Sequence, residues 1–182
     1  IIEDDYRPFV EEGKVWKFGA FNSGNPVQVV EYYYFDGDTI IDGKTCKQMM
    51  CQKYVGPDYP NYDSFSHQNY LSKMGAWYEE DKKVYFCYEG TQTLRMMYDF
   101  SLGANDTLYF MNDYPDYRTF IIGPKQIGGL KGFKGFYRDI MMCQDEGQNI
   151  HSTFWLEGVG GIDGTTANAF DPTLVDLGQF LM

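Results

Sequence analysis

Residues 27–55 read VQVVEYYYFDGDTIIDGKTCKQMMCQKYV, aromatic and β-branched runs broken at Asp36-Gly37 and Asp42-Gly43. Asp-Gly between such runs is a strong hairpin signal, because both residues accept the positive φ that a tight turn demands. The spacing therefore predicts a meander with a short middle strand over 39–41. A second hairpin is predicted over 75–88, where Ala76-Trp77-Tyr78 and Val84-Tyr85-Phe86-Cys87 flank a polar connection at 79–83. The pattern places further strands at 94–98, 107–111, 118–122, 133–143 and 152–156. The 20 glycines and 7 prolines are so distributed that the longest intervals free of both are 61–74 and 76–89. A helix longer than about four turns would contain a breaker. The fold class expected is all-β: one domain over 1–182, an antiparallel meander of about ten strands forming a partly closed barrel or sandwich.

Two segments stand outside this cadence. Glu3, Asp4, Asp5, Glu11 and Glu12 make residues 1–12 strongly acidic, and this end is expected to be solvated and partly mobile. Residues 57–70, PDYPNYDSFSHQNY, read as a long surface loop. Such loops often carry binding residues, and Tyr59 and Tyr62 are its candidates, although a plain insertion accounts for the segment as well. Ile1 rather than Met stands first, so the natural N-terminus is expected to have been removed, and a targeting signal with it.

Composition narrows the function classes. At 182 residues the chain is long enough to bury roughly two thirds of its unfolded surface without staples. The net charge of −11 argues against a nucleic-acid footprint, which needs concentrated Lys and Arg. No uncharged apolar run reaches the ~18 residues of a membrane-spanning helix, and the chain is not expected to span a membrane.

Candidate chemistry is sparse. Cys46, Cys51, Cys87 and Cys143 include no CxxC unit, which disfavours a zinc ribbon. The odd separation of Cys46 and Cys51 sends them to opposite faces of a strand, and buried apolar thiols are the plainest reading of all four. His67 and His151 accompany no nucleophile elbow. Asp36, Asp38 and Asp42 resemble the start of a calcium loop, but Ile40 occupies a ligand position and no terminal Glu follows, so turn chemistry explains them better. The glycine-rich pieces around 128–135 and 158–161 lack the GK[ST] ending of a phosphate loop. No catalytic residue, metal or cofactor is assigned. Glu31, Asp99, Asp139 and Glu157 lie in or beside predicted strands and offer paired carboxylates for hydrolysis only if two of them converge.

Binding has more candidates. Trp16, Trp77, Trp155 and the run Tyr32-Tyr33-Tyr34 contain potential stacking platforms for sugars, and alternation turns at least one member of that run outward. Lys125, Lys131, Lys134 and Arg138, interleaved with Phe133, Phe136 and Tyr137, form one basic aromatic stretch suited to an anionic glycan or a partner surface. The ligand-binding candidates are Tyr33, Tyr59, Tyr62, Trp77, Lys131 and Lys134.

The segments GDTIIDGKTCKQM (37–49), GAWYEEDKKVYFC (75–87), MYDFSLGANDTL (97–108) and WLEGVGGIDG (155–164) resemble, in order, a family of exported β-rich domains of the Bacteroidetes. Members of that family are lipoproteins or carry type IX secretion sorting domains. The resemblance spans residues 13–164, with Cys46, Trp77 and Gly161 departing from the family pattern. It implies export to the periplasm, the outer-membrane surface or the medium, and the absence of a sorting domain after residue 164 favours a lipoprotein. It contributes no catalytic residues. Asp38-Thr39-Ile40 and Asp106-Thr107-Leu108 also resemble the O-glycosylation acceptor of exported proteins in that phylum. The function expected is therefore a non-enzymatic cell-envelope or surface domain with a structural or interaction role, its partner a glycan or an envelope protein. The alternatives are a glycan-binding module and, after it, a carboxylate-dependent hydrolase.

Overall fold

The computed structural model describes residues 6–22, 25–55, 70–109, 119–130, 133–143, 149–161 and 179–181. Among these the regular structure is entirely β, as the breaker spacing predicts. The strands are β1 (Val15–Asn22), β2 (Asn25–Ile41), β3 (Lys44–Val55), β4 (Tyr70–Glu80), β5 (Lys83–Tyr88), β6 (Arg95–Asp99), β7 (Thr107–Tyr109), β8 (Thr119–Leu130), β9 (Phe133–Cys143), β10 (Asn149–Leu156), β11 (Gly160–Gly161) and β12 (Gln179–Leu181). They form two antiparallel sheets. In the larger, β1 to β6 follow one another in chain order with the short β12 beside β1; in the smaller the order is β11-β10-β9-β8-β7.

Local chemistry sets the corners. Asp42 and Gly43 have φ of 51° and 73°, and Asp81 and Lys82 have 53° and 64°. Both pairs therefore meet the positive φ at two successive residues required by the two-residue turn that matches strand twist. Asp36-Gly37 behaves differently. The predicted turn there is a β-bulge: β2 continues through it for 17 residues, and pairing with β3 shifts register between Phe35 and Asp38. Gly37 absorbs the irregularity at φ 82°, so the predicted short middle strand is the far end of one long strand.

A second bulge lies in β4. Met49 pairs with Gly75 but Met50 pairs with Lys73, which leaves Met74 as the extra residue. Gly75 takes φ 143°, and a Cβ built there would stand 2.2 Å from the Cys87 carbonyl oxygen. Glycine is the residue that position admits.

Side chains on the inner face of the large sheet, including Trp16, Tyr33, Met49, Cys51, Trp77, Val84, Phe86 and Tyr98, join Leu108, Ile122, Trp155 and Leu156 of the small sheet in one core. Tyr98 meets Trp155 edge-on at 5.3 Å, a favoured geometry between aromatic rings. A smaller cluster of Ile41, Cys46, Ala76 and Cys87, with Tyr78 and Leu94 against it, lies on the opposite face of the large sheet. Successive residues belong to opposite clusters, as alternation requires: Ala76 then Trp77, Phe86 then Cys87.

The described part of the acidic N-terminal segment is not free in solvent. Phe9 is fully buried, with its ring 4.6 Å from Trp77, 5.1 Å from Trp16 and 5.7 Å from Tyr98. Glu11 and Glu12 remain exposed. Residues 1–5, with Glu3, Asp4 and Asp5, lie outside the described residues; over 6–12 the burial of Phe9 removes a large apolar surface from water.

Candidate functional site

Three acids of the core region are buried: Glu31, Asp99 and Glu157. Each is met by a lysine ammonium. Lys53 Nζ stands 3.1 Å from Glu31 Oε1, Lys83 Nζ 3.8 Å from Asp99 Oδ2, and Lys125 Nζ 3.1 Å from Glu157 Oε1. Glu31 also accepts a 2.7 Å hydrogen bond from the Tyr33 hydroxyl, and Asp99 accepts from the Ser101 amide at 3.0 Å and from its hydroxyl. The Lys125–Glu157 contact is electrostatic in character: neither Glu157 oxygen accepts a well-directed hydrogen bond among the described residues. Asp139, the fourth candidate acid, lies on β9 opposite Phe154, and its side chain is outside the described residues. Among those residues no group of three or more His, Cys, Asp or Glu is arranged to hold a metal ion.

Glu79 has a different duty. It accepts from the Tyr6 hydroxyl at 2.5 Å and from the Val10 amide at 2.8 Å. It thus holds the N-terminal segment on both sides of Phe9. Burial, together with the Glu79 hydrogen bond, pushes the Tyr6 phenol well above its usual pKa, and burial with the Glu31 bond does the same to Tyr33. Lys14 pins the same segment from outside, donating to Gly158 O at 3.1 Å and to the Pro8 carbonyl.

The thiols are inert by position. Cys46, Cys51 and Cys87 are free and buried. Burial raises the pKa of Cys46 and of Cys51, which withholds the nucleophilic thiolate. Cys51 faces the main core and Cys46 the smaller cluster, the opposition that their odd separation predicts.

The outward face of the large sheet carries half-buried tyrosines beyond its small buried cluster, with Val30 buried beside them. Alternation from the buried Trp16, Tyr33 and Cys51 turns Val15, Lys17, Tyr32, Tyr34, Met50 and Gln52 to that face. Register then aligns them in rows across β1 to β4. Lys17 pairs with Tyr32, Tyr32 with Gln52, and Gln52 with Leu71; in the next row Val15 pairs with Tyr34, Tyr34 with Met50, and Met50 with Lys73. Each row spans about 14 Å at ordinary strand spacing. Tyr32 and Tyr54 meet edge-on at 5.5 Å, and the Lys17 ammonium lies over the Tyr32 ring at 5.7 Å. Val15 and Leu71 are well exposed, at 58% and 59%.

The sequence-derived ligand residues fare unevenly. Tyr33 and Trp77 are core residues, 2% and 1% exposed, and neither presents a ring to a ligand; the structure corrects both assignments. Tyr33 is drawn inward by its position between Trp16 and Cys51, and Trp77 by Phe9 and Phe86. Tyr59, Tyr62 and Lys131 lie outside the described residues. Lys134 lies on β9 opposite Gly129, with its side chain outside the described set. The outward residues Tyr32 and Tyr34 belong to the run that the sequence singled out, whereas Lys17 and Tyr54 emerge only from register. Of the two threonines in acceptor-like motifs, Thr107 is exposed at the start of β7 and Thr39 is half-buried on β2.

No helix among the described residues is long and apolar enough to cross a membrane. In comparisons with known proteins, no family model, curated protein or solved structure matches the chain.

Proposed function

We propose that this chain is a non-enzymatic domain of an exported protein, acting in the periplasm, at the outer-membrane surface or outside the cell, with a structural or interaction role. The carrying observation is the separation of labour between the two faces of the large sheet. Inward aromatics build the core, and the outward face presents Tyr32, Tyr34 and Tyr54 with Lys17 and Gln52 between them. Support also comes from the buried acids. Glu31, Asp99 and Glu157 are each occupied by a lysine, whereas acid-base hydrolysis calls for two carboxyl groups flanking a cleft. In this reading the two sheets form a partly closed barrel or sandwich of about ten principal strands, with β11 and β12 as short additions at the edges. A lipoprotein anchor fits the same reading.

Fractionation of the native host tests the placement. The protein is expected in the envelope or the medium, and recovery in the cytoplasm would contradict it.

A second reading, a glycan-binding module, is favoured by the outward tyrosines. Phenol rings offer apolar faces to sugar C–H groups and hydroxyls at their edges, and Gln52 adds an amide donor and acceptor. A glycan array tests it with a Tyr32→Ala control; binding that the control removes supports it, and uniform absence of binding ends it.

A further inference from the structure

We infer that the outward tyrosine face takes an acidic polysaccharide, with Lys17 pairing to the sugar carboxylate. The inference rests on the glycan-binding reading and narrows the ligand class. Its starting point is the distribution of lysine partners in an acidic chain. Lys14, Lys44, Lys47, Lys53, Lys73, Lys83 and Lys125 each lie within ion-pair distance of a carboxylate. Two lysines stand over phenol rings instead, Lys82 over Tyr6 and Lys17 over Tyr32, and of these Lys17 is the one on the outward tyrosine face, where among the described residues it meets no carboxylate.

A cation held over a phenol on a half-exposed sheet face keeps most of its charge available to a ligand. It also sits where a chain of sugars lying across the strands would pass, in the row Lys17–Tyr32–Gln52–Leu71. Tyr32 and Tyr34, two residues apart on one strand, place two rings about 7 Å apart along β2. Of the acids nearest in sequence, Glu31 points inward to Lys53, Glu11 and Glu12 stand beside Lys14 and Lys47, and Asp36 lies two residues beyond Tyr34, at the bulge. Among the described residues Lys17 therefore sets a positive charge beside Tyr32 on a molecule of net charge −11, and charge complementarity there favours an anionic ligand over a neutral one. The phenols select sugar over a small inorganic anion, because a bare anion has no use for two aromatic faces.

Affinity electrophoresis of the intact chain in gels containing polygalacturonate, or a neutral glucan as comparison, tests the proposal. Retardation is expected in polygalacturonate, weakening in 0.5 M NaCl as screening requires. Lys17→Met should weaken binding about tenfold, as expected for loss of one charge-assisted contact, while Lys17→Arg should retain it. Circular dichroism melts of each variant keep folding separate from binding. Retardation by the neutral glucan that Lys17→Met leaves unchanged would overturn the acidic-ligand inference and leave the glycan reading standing. Retardation in neither gel would overturn both.

Discussion

Single residues carry sharply different weights depending on which face they occupy. Gly75 is the least replaceable: φ 143° together with the 2.2 Å approach to Cys87 O means that Gly75→Ala must deform the β4–β5 pairing. A loss of about 3 kcal/mol is expected from chemical denaturation, and a change below about 1 kcal/mol would refute the account of this bulge. Tyr6 and Tyr33 set a pH dependence. Both phenols hold their protons more tightly folded than unfolded, so the stability they contribute is complete below the usual value of 10.0 and is lost as pH rises past it. The denaturation midpoint should fall between about pH 9 and pH 11, and Tyr6→Phe with Tyr33→Phe should flatten that fall. An identical slope in the double variant would show that other groups govern it. The run Tyr32-Tyr33-Tyr34 also shows how far residues can be read from sequence. Alternation predicts that neighbours diverge, but the phase is set by partners on β1 and β3, Trp16 and Cys51, which no local pattern reveals.

Among elements, the N-terminal segment and the β2–β3 pair are the most informative. Phe9 joins the segment to Trp16, Trp77 and Tyr98, and Glu79 fastens it on either side. Phe9→Ala should cost about 3–5 kcal/mol, the range for deleting a buried aromatic. Near-native stability would mean that the segment is dispensable. Acidic composition predicts a solvated end, yet over residues 6–12 one phenylalanine outweighs the exposed Glu11 and Glu12. The hairpins at Asp42-Gly43 and Asp81-Lys82 were legible, the first from Asp-Gly and the second from its polar connection. The bulge at Asp36-Gly37 was not, because the same dipeptide serves a turn or a bulge and only the pairing partner decides. β9 matches its predicted span of 133–143, while β1 escaped prediction because Gly13 and Gly19 interrupt a short run.

For the whole molecule, fold class was legible from breaker spacing and β-rich runs, but the arrangement into two sheets sharing one core depends on contacts far apart in sequence, such as Tyr98 with Trp155. The three described thiols follow from that arrangement. Cys46 and Cys87 lie on β3 and β5 with β4 between them, a separation of about 10 Å that exceeds disulfide reach. Cys46, Cys51 and Cys87 should resist a thiol reagent in the native protein and react once it is unfolded; rapid native labelling would contradict their burial. The central claim is that the inward face of the large sheet builds the fold while its outward face meets the ligand. The most direct test compares Tyr33→Ala with the double variant Tyr32→Ala/Tyr34→Ala in thermal melts and in polygalacturonate affinity gels. The account predicts that Tyr33→Ala lowers the melting temperature steeply, and that the double variant melts close to the parent but migrates unretarded. A double variant that melts as early as Tyr33→Ala, or that is retarded like the parent, would contradict it.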